Sequence, residues 1–331
     1  MSVTISTPSR LHFGLLRFEQ TAGPSFGGLG MMIAKPRTTV RMAATSEWQA
    51  SGVDGDRAMA YARRALDALS LQSNEAPPAI RIDVEESIPS HHGLGSGTQL
   101  ALAVAAGVRT LCGLPQANAA ELASLVGRGR RSAIGCHGFT HGGLLYELGT
   151  FAEEPLGRLA KRVAIPPSWR LVLVAASRGA GLSGDHEASA FSRLPPVPEA
   201  TTARLEQLAE SAILPAAERC DIDAFGEALF EYGRLAGECF ASVQGGPYAS
   251  AEIAACVATL RELGARGVGQ SSWGPTVFAI VDDQAHAEGL VSRLRAMPAW
   301  AEHSMGITSA DNNGAQIHCP ANHGNHTATP I

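Results

Sequence analysis

Residues Ile88–Gln99 read IPSHHGLGSGTQ, with glycine at positions 93, 95 and 97. The segment before it, AIRIDVEES (79–87), alternates, with Ile80, Ile82 and Val84 on one face. That is the pattern of a half-buried strand. The segment after it, TQLALAVAAGVRTL (98–111), is apolar enough for a long buried helix. Glycine lets a backbone turn tightly and approach an anion closely. A helix N-terminus adds partial positive charge and unpaired N–H groups. Gly93, Leu94, Gly95, Ser96, Gly97, Thr98 and Gln99 are therefore phosphate-binding candidates. The loop is not a P-loop, because no GKS or GKT follows it. It is not a dinucleotide fingerprint either, because GLGSG is not GxGxxG in a βαβ unit.

Working outward, SVTISTPSRLHFGLL and TTVRMAA read as strands, and RAMAYARRALDALS as an amphipathic helix. ANAAELASLVGRGR reads as a helix with Asn118 as N-cap. Pro166-Pro167 precedes the strand WRLVLVAAS and is the expected domain boundary. Beyond the break RLPPVPEA, helices are expected over about 201–212, 222–241 and 249–263. GVGQSSWGPTVFAIVDD reads as a glycine loop plus strand, AHAEGLVSRLRAM as a helix and HSMGITSA as the final strand. The expected organisation is 1–165, 166–315 and a flexible tail 316–331. Strands and helices mix without regular βαβ alternation, so the expected class is α+β.

The 331 residues carry a formal net charge of −5 and no basic stripe, which argues against nucleic acid as a partner. A phosphate site in such a chain has to be local. No run approaches the length of a transmembrane helix, and MSVTISTPSR lacks a charged leader followed by an apolar block. A cytoplasmic protein without membrane contact is expected. The six cysteines have no CxxC or zinc spacing and read as reduced thiols. His137 and His141, four apart, lack a third metal ligand, and the histidines of the tail read as part of a polar terminus. No protein metal site is assigned.

PSHHGLGSGTQLALAVAAG (89–107) resembles the second motif of the GHMP superfamily of small-molecule kinases. TPSRLHFGLLRF followed by FGGLGMMI resembles the first motif, and GVGQSSWGPTVFAIV the third, in matching order and spacing. The resemblance implies a two-lobed fold, with an N-terminal ribosomal-S5-like lobe and a C-terminal ferredoxin-like lobe. Ser9–His12, Pro89–Gln99, Arg131–Gly143 and Gly267–Thr276 are together similar to the branch of β-ribofuranosylaminobenzene 5′-phosphate synthases. GLSGDHEASAF (181–191) and VQGGPY (243–248) are similar to that branch too. Its members join 4-aminobenzoate to phosphoribosyl pyrophosphate, releasing carbon dioxide and pyrophosphate, on the route to methanopterin-type cofactors. Magnesium is expected, because free pyrophosphate is a poor leaving group without charge neutralisation, and the resemblance implies commonly a homodimer.

On this basis Arg10, His12 and His91 are the expected catalytic residues. Gly27, Gly28, Ser183, Gly184, Glu187, Gln270, Ser271, Ser272, Trp273 and Gly274 are the expected substrate-binding ones. Trp273 suits stacking on an aromatic ring and suits a core equally well. Asp185 and Glu187 suit magnesium or the start of a helix. Many GHMP kinases carry an aspartate seven residues before a GG pair; here Gly135 stands seven before Gly142-Gly143. Ribosyl transfer needs no such base, whereas a kinase without it relies on positioning and electrostatics. The branch also places an acid after SRLH and an arginine before the first-motif GG. Glu19 is the nearest acid, and the arginine has no counterpart beyond Arg17. An ATP-dependent small-molecule kinase and a non-catalytic binder of a phosphorylated metabolite remain the alternatives.

Overall fold

The structure is a computed structural model that describes residues 1–18, 23–70, 78–176 and 189–320. Two sheets organise it. The first contains β1 (Ser2–Leu15), β2 (Gly28–Thr45), β3 (Gln49–Ser51), β4 (Ala79–Glu86), β5 (Leu144–Glu147) and β6 (Leu159–Val163). The second contains β7 (Arg170–Ala175), β8 (Gly267–Gln270), β9 (Thr276–Val281) and β10 (Met305–Thr308). A last strand, β11 (Gln316–His318), returns to the first sheet and pairs with β1.

The first sheet runs β11-β1-β2-β4-β3, with β5 on the other half of β2 and β6 beyond it. Every pairing in it is antiparallel except β3 with β4. The second sheet is antiparallel throughout, in the order β10-β7-β9-β8. The class is α+β, as the mixed element order implied. The alternation in β4 has the expected consequence, with Ile80, Ile82 and Val84 all buried.

Helices α1 (Gly55–Ser70), α2 (Ser96–Leu111) and α4 (Ile134–His141) pack on the first sheet, and α3 (Ala119–Val126) packs against these three helices. Leu100–Val108 of α2 are all buried, so this helix is core on every side. Each fully buried Leu or Val contributes about 1.5–3 kcal/mol, which fixes α2, and hence its N-terminus, firmly on β1 and β2. Asn118 caps α3 by accepting from the Glu121 N–H while Glu121 accepts from the Asn118 N–H, a reciprocal capping box. The helix Ile222–Glu238 lies between the sheets, where the Tyr232 hydroxyl donates to the Gly14 carbonyl at 3.1 Å.

Several boundaries differ from the sequence reading. The first-motif segment GLGMMI and TTVRMAA form one 18-residue strand, β2, across the cis Lys35-Pro36 bond. GVGQ is strand β8 rather than loop, because Val268 and its neighbours bury against β9. The helix from Glu199 continues through a π-helical turn, Leu208–Ile213, to Glu218. Met305–Thr308 is not the last strand. Gln316–His318, assigned above to a flexible tail, is held by three register pairs with β1, and Ile33 bridges Ala310. The C-terminal end of the described chain therefore belongs to the first sheet. Among the described residues no helix is long and apolar enough to cross a membrane.

Candidate active site

β1, the glycine loop and the β8–β9 turn are tied into one knot. The Arg10 N–H donates to the Leu94 carbonyl at 3.0 Å, and Arg10 Nη1 donates to the Gly93 carbonyl at 2.9 Å. Ser271 Oγ donates to the same Gly93 carbonyl at 2.7 Å and accepts from the His12 N–H at 3.0 Å. The Ser272 N–H donates to the His12 carbonyl, also at 3.0 Å. Gly93 has φ 72°, and a Cβ there would stand 2.2 Å from the Ser271 carbonyl oxygen. Only glycine permits both that backbone and that approach.

Helix α2 starts at Ser96, with Gly95 as a left-handed N-cap at φ 76°, two residues earlier than the sequence suggested. Side-chain capping is absent there, and the first N–H groups of a helix have no intrahelical acceptor. Three arginines flank this end. An added Cβ at Gly95 would lie 2.7 Å from Arg10 Cγ; one at Gly97 would lie 3.1 Å from Arg57 Nη2 and 3.4 Å from Arg128 Nη2. Arg57 is held by Asp54 Oδ1 at 2.7 Å and Ser90 Oγ at 2.8 Å, and Arg128 by the Tyr61 hydroxyl. Arg131 lies 5.2 Å over the Phe191 ring.

This end opens into a cavity of about 290 Å³. Arg10, His12, Thr98, Arg128, Arg130, Arg131 and Ser132 of its lining come from the part of the chain that builds the first sheet and its helices, and Phe191, Phe240, Gln244, Tyr248, Gln270, Ser272 and Trp273 from segments that follow β7. Among the described residues the lining contains no carboxylate. Trp273 is 8% exposed, with its ring 4.8 Å from Phe240 and 5.7 Å from Phe191, both edge-on. It is core and cavity wall at once.

Behind the charged side lies a buried polar chain. His12 Nε2 is 3.0 Å from Ser132 Oγ, which donates to Glu147 Oε1 at 2.7 Å. Glu147 Oε2 accepts from the Ala133 N–H at 2.7 Å. Burial holds the His12 imidazole down at about 3, and the nearby Arg10 charge adds to this. Burial pushes the Glu147 carboxyl up to about 7, against the opposing pull of Ser132, the Ala133 and Ile134 N–H groups and Arg10.

The expected residues are not all brought together. Arg10, His12, Thr98, Gln270, Ser272 and Trp273 line the cavity. Gly93, Leu94, Gly95, Ser271 and Gly274 shape it through their backbones or buried side chains. Gln99 is fully buried, accepts from Thr7 Oγ1 and donates to the Gly135 carbonyl at 2.8 Å, so its amide is committed to the core rather than to phosphate. Gly27 and Gly28 pack against Leu148 and Gly14, outside the cavity lining. His91 is exposed at φ 62° and outside the lining. Arg17 is buried against Glu206 and the Leu148 carbonyl and does not replace the first-motif arginine. Glu19, Ser183, Gly184, Asp185 and Glu187 lie outside the described residues.

The sequence reading missed Arg57, Arg128, Arg130, Ser132, Glu147 and the aromatic wall apart from Trp273. Two signals were present. GRGRR (127–131) puts three arginines in four residues of an acidic chain, and LLYE (144–147) ends a wholly buried strand in a carboxylate. Among the described residues no group of three or more metal-ligating side chains occurs.

Comparison with known proteins matches this architecture. Residues 60–143 match the family model of the GHMP kinases N terminal domain, and residues 213–299 that of the GHMP kinases C terminal domain. The chain is 29% identical to a β-ribofuranosylphenol 5′-phosphate synthase of Methanothermobacter thermautotrophicus, over 89% of this chain and 93% of that protein. It is 28% identical to the protein of that name in Archaeoglobus fulgidus, over 95% and 98%. A homoserine kinase from Cytophaga hutchinsonii superposes with a TM-score of 0.64 at 15% identity, covering 96% of this chain and 97% of that one. A mevalonate kinase does so with a TM-score of 0.64 at 13% identity, covering 94% and 99%. At such identities these structures show the shared fold alone.

Proposed function

Because the chain belongs to the GHMP kinase family, we propose that it uses this family's anion-binding loop for ribosyl transfer rather than phosphorylation. The enzyme joins a phosphoribosyl group to an aromatic ring carbon. The observation that carries this is the cavity lining, which has four arginines, an aromatic wall and, among the described residues, no carboxylate. Many kinases of this superfamily carry an aspartate seven residues before the GG pair that is Gly142-Gly143 here. At the expected position Gly135 abuts Thr98, its absent Cβ 3.1 Å from Thr98 Cγ2.

The donor is phosphoribosyl pyrophosphate. Its phosphates meet the α2 N-terminus, Thr98, Arg10 and Arg128, since charge-assisted guanidinium contacts are the strong way to hold phosphate and backbone N–H groups add to it. As the bond from C1 of ribose to pyrophosphate breaks, negative charge collects on the leaving group, where these fixed positive groups stabilise it. The aromatic acceptor lies along Trp273 and Phe240. Its carboxyl-bearing carbon bonds to C1 and carbon dioxide departs, which restores the aromatic ring. The sequence resemblance names 4-aminobenzoate as that acceptor. The names of the relatives contain a phenol, which favours 4-hydroxybenzoate.

Magnesium has no carboxylate in the described lining to hold it, and no step here runs through the ion. The test supplies phosphoribosyl pyrophosphate with either benzoate, with and without magnesium, and follows pyrophosphate and labelled carbon dioxide. A parallel reaction holds ATP with homoserine or mevalonate. Stoichiometric pyrophosphate and carbon dioxide with one benzoate is the expected result. Phosphoryl transfer from ATP without either product would overturn the reading.

A further inference from the structure

The chain His12–Ser132–Glu147 runs from the cavity to a carboxylate that is 0% exposed, and the mechanism above leaves it unused. Its hydrogen bonds are directional. Ser132 Oγ accepts from the Ile134 N–H at 3.3 Å and spends its one proton on Glu147 Oε1. With Glu147 ionised, the remaining contact requires His12 Nε2 to be the donor. That leaves Nδ1 as the unprotonated nitrogen. His12 lines the cavity, and among the described residues no hydrogen bond to Nδ1 occurs.

We propose that His12, Ser132 and Glu147 form a proton relay that takes the hydroxyl proton of a phenolic acceptor. This rests on the synthase reading and specifies its acceptor class. The acceptor O–H bond breaks and its proton goes to His12 Nδ1. The Nε2 proton passes to Ser132 Oγ, and the serine proton passes to Glu147 Oε1. The acceptor becomes a phenolate, Glu147 becomes neutral, and His12 ends as the other neutral tautomer. Imidazolium never forms, which suits a ring that burial and Arg10 keep from charging. The phenolate pushes electron density to the ring carbon that attacks C1. The same path returns the proton to the product. An aromatic amine has no comparably acidic proton, so the relay has nothing to take from 4-aminobenzoate.

His12 is the catalytic residue here, because it meets the acceptor; Ser132 and Glu147 act through it. The groups facing Glu147 are Arg10 on β1, Cys136 on α4 and Tyr232 on the helix Ile222–Glu238. Arg10 also faces His12. Neither Cys136 nor Tyr232 titrates below pH 8, since burial raises both thiol and phenol. Glu147 is thus the group of this cluster that ionises near 7. The relay works when Glu147 is charged, so kcat rises with pH through that ionisation.

The experiment compares wild type, Ser132→Ala, Ser132→Thr and Glu147→Gln, each checked for an unchanged circular dichroism spectrum. One reading is the ultraviolet phenolate band of bound 4-hydroxybenzoate between pH 5 and 9, which needs no turnover. The other is kcat and KM. Ser132→Ala and Glu147→Gln should lose the band near pH 7 and lose on the order of 10²-fold or more in kcat, the usual worth of a positioned base, with KM within about threefold. Ser132→Thr keeps the hydroxyl and should restore both. Glu147→Gln should flatten the pH profile. A phenolate band that survives in Ser132→Ala overturns the relay, as does an equal loss with 4-aminobenzoate and 4-hydroxybenzoate. If wild type makes no C-riboside, the synthase reading fails, while the band in wild type and its loss in the variants still decide the relay.

Discussion

Arg10, Arg128, Arg130 and Arg131 come from one wall of the cavity, and Phe191, Phe240, Tyr248 and Trp273 from the other. The charged wall is built on the first sheet and its helices, with two of its heads fixed by partners: Arg10 by the Gly93 carbonyl and Arg128 by Tyr61. The aromatic wall comes from separate segments that meet only when the second sheet and the helix Ile222–Glu238 dock. The rings of Phe191, Phe240 and Trp273 meet edge-on at 4.8–5.9 Å, as in a small core. A phosphate is held by a few strong directional contacts, whereas a ring is held by many weak ones. The two walls should therefore respond differently to the loss of a single side chain.

The largest effect is expected at Arg10. Arg10→Ala removes a guanidinium from the anion end and unties the Gly93 carbonyl from that side. A hydrogen bond to a charged group contributes about 1.5–3 kcal/mol, so kcat/KM for phosphoribosyl pyrophosphate should fall by roughly 10- to 150-fold. The loss should appear mainly against the donor concentration. Steady-state kinetics with each substrate varied in turn checks it. An equal rise in KM for the aromatic acceptor would erase the division between the walls.

Trp273→Leu should act on the other substrate and by less. It removes the ring offered to the benzoate, a ring–ring contact worth about 0.5–1.5 kcal/mol, while Ser271, Ser272 and Gln270 keep the turn in place through hydrogen bonds to backbone carbonyls. The KM for the benzoate should rise about 2- to 12-fold, with the donor KM nearly unchanged. A donor effect larger than the acceptor effect would mean that Trp273 serves the turn against Gly93 rather than the ring.

The contrast also explains what could be read from the sequence. The charged wall is local. AIRIDVEES and IPSHHGLGSGTQ together declare a strand, a turn and a helix N-terminus within the 21 residues 79–99, and Arg10 and His12 sit on one face of one strand. Those features follow from periodicity and glycine chemistry alone. The aromatic wall depends on contacts between positions 191, 240, 248 and 273, which no local pattern links. Gln99 misled for a related reason. It stands one residue past a loop whose neighbours face the ligand, yet the first turn of α2 rotates its amide into the core, onto Thr7 and Gly135. Glu147 was missed because a single acid at a strand end reads as solvent-facing until β6 and α4 cover it.

His91 gives the smallest expected effect and the sharpest limit on the charged wall. It lies two residues from Gly93, matches a motif position and is the kind of side chain that handles protons near neutrality. Its backbone nevertheless sits at φ 62°, which carries the side chain out to solvent and away from the lining. Proximity in sequence does not bring it to the cavity, because the left-handed turn intervenes. Asn tolerates that conformation better than most residues, so His91→Asn tests the imidazole without adding backbone strain. Stability should change by no more than about 0.5 kcal/mol, the usual range for an exposed site. Both KM values and kcat should stay within about twofold of wild type across pH 5–9. A tenfold fall in kcat would move the proton-handling residue from His12 to the rim of the loop, and the charged wall would then extend beyond the arginines that define it.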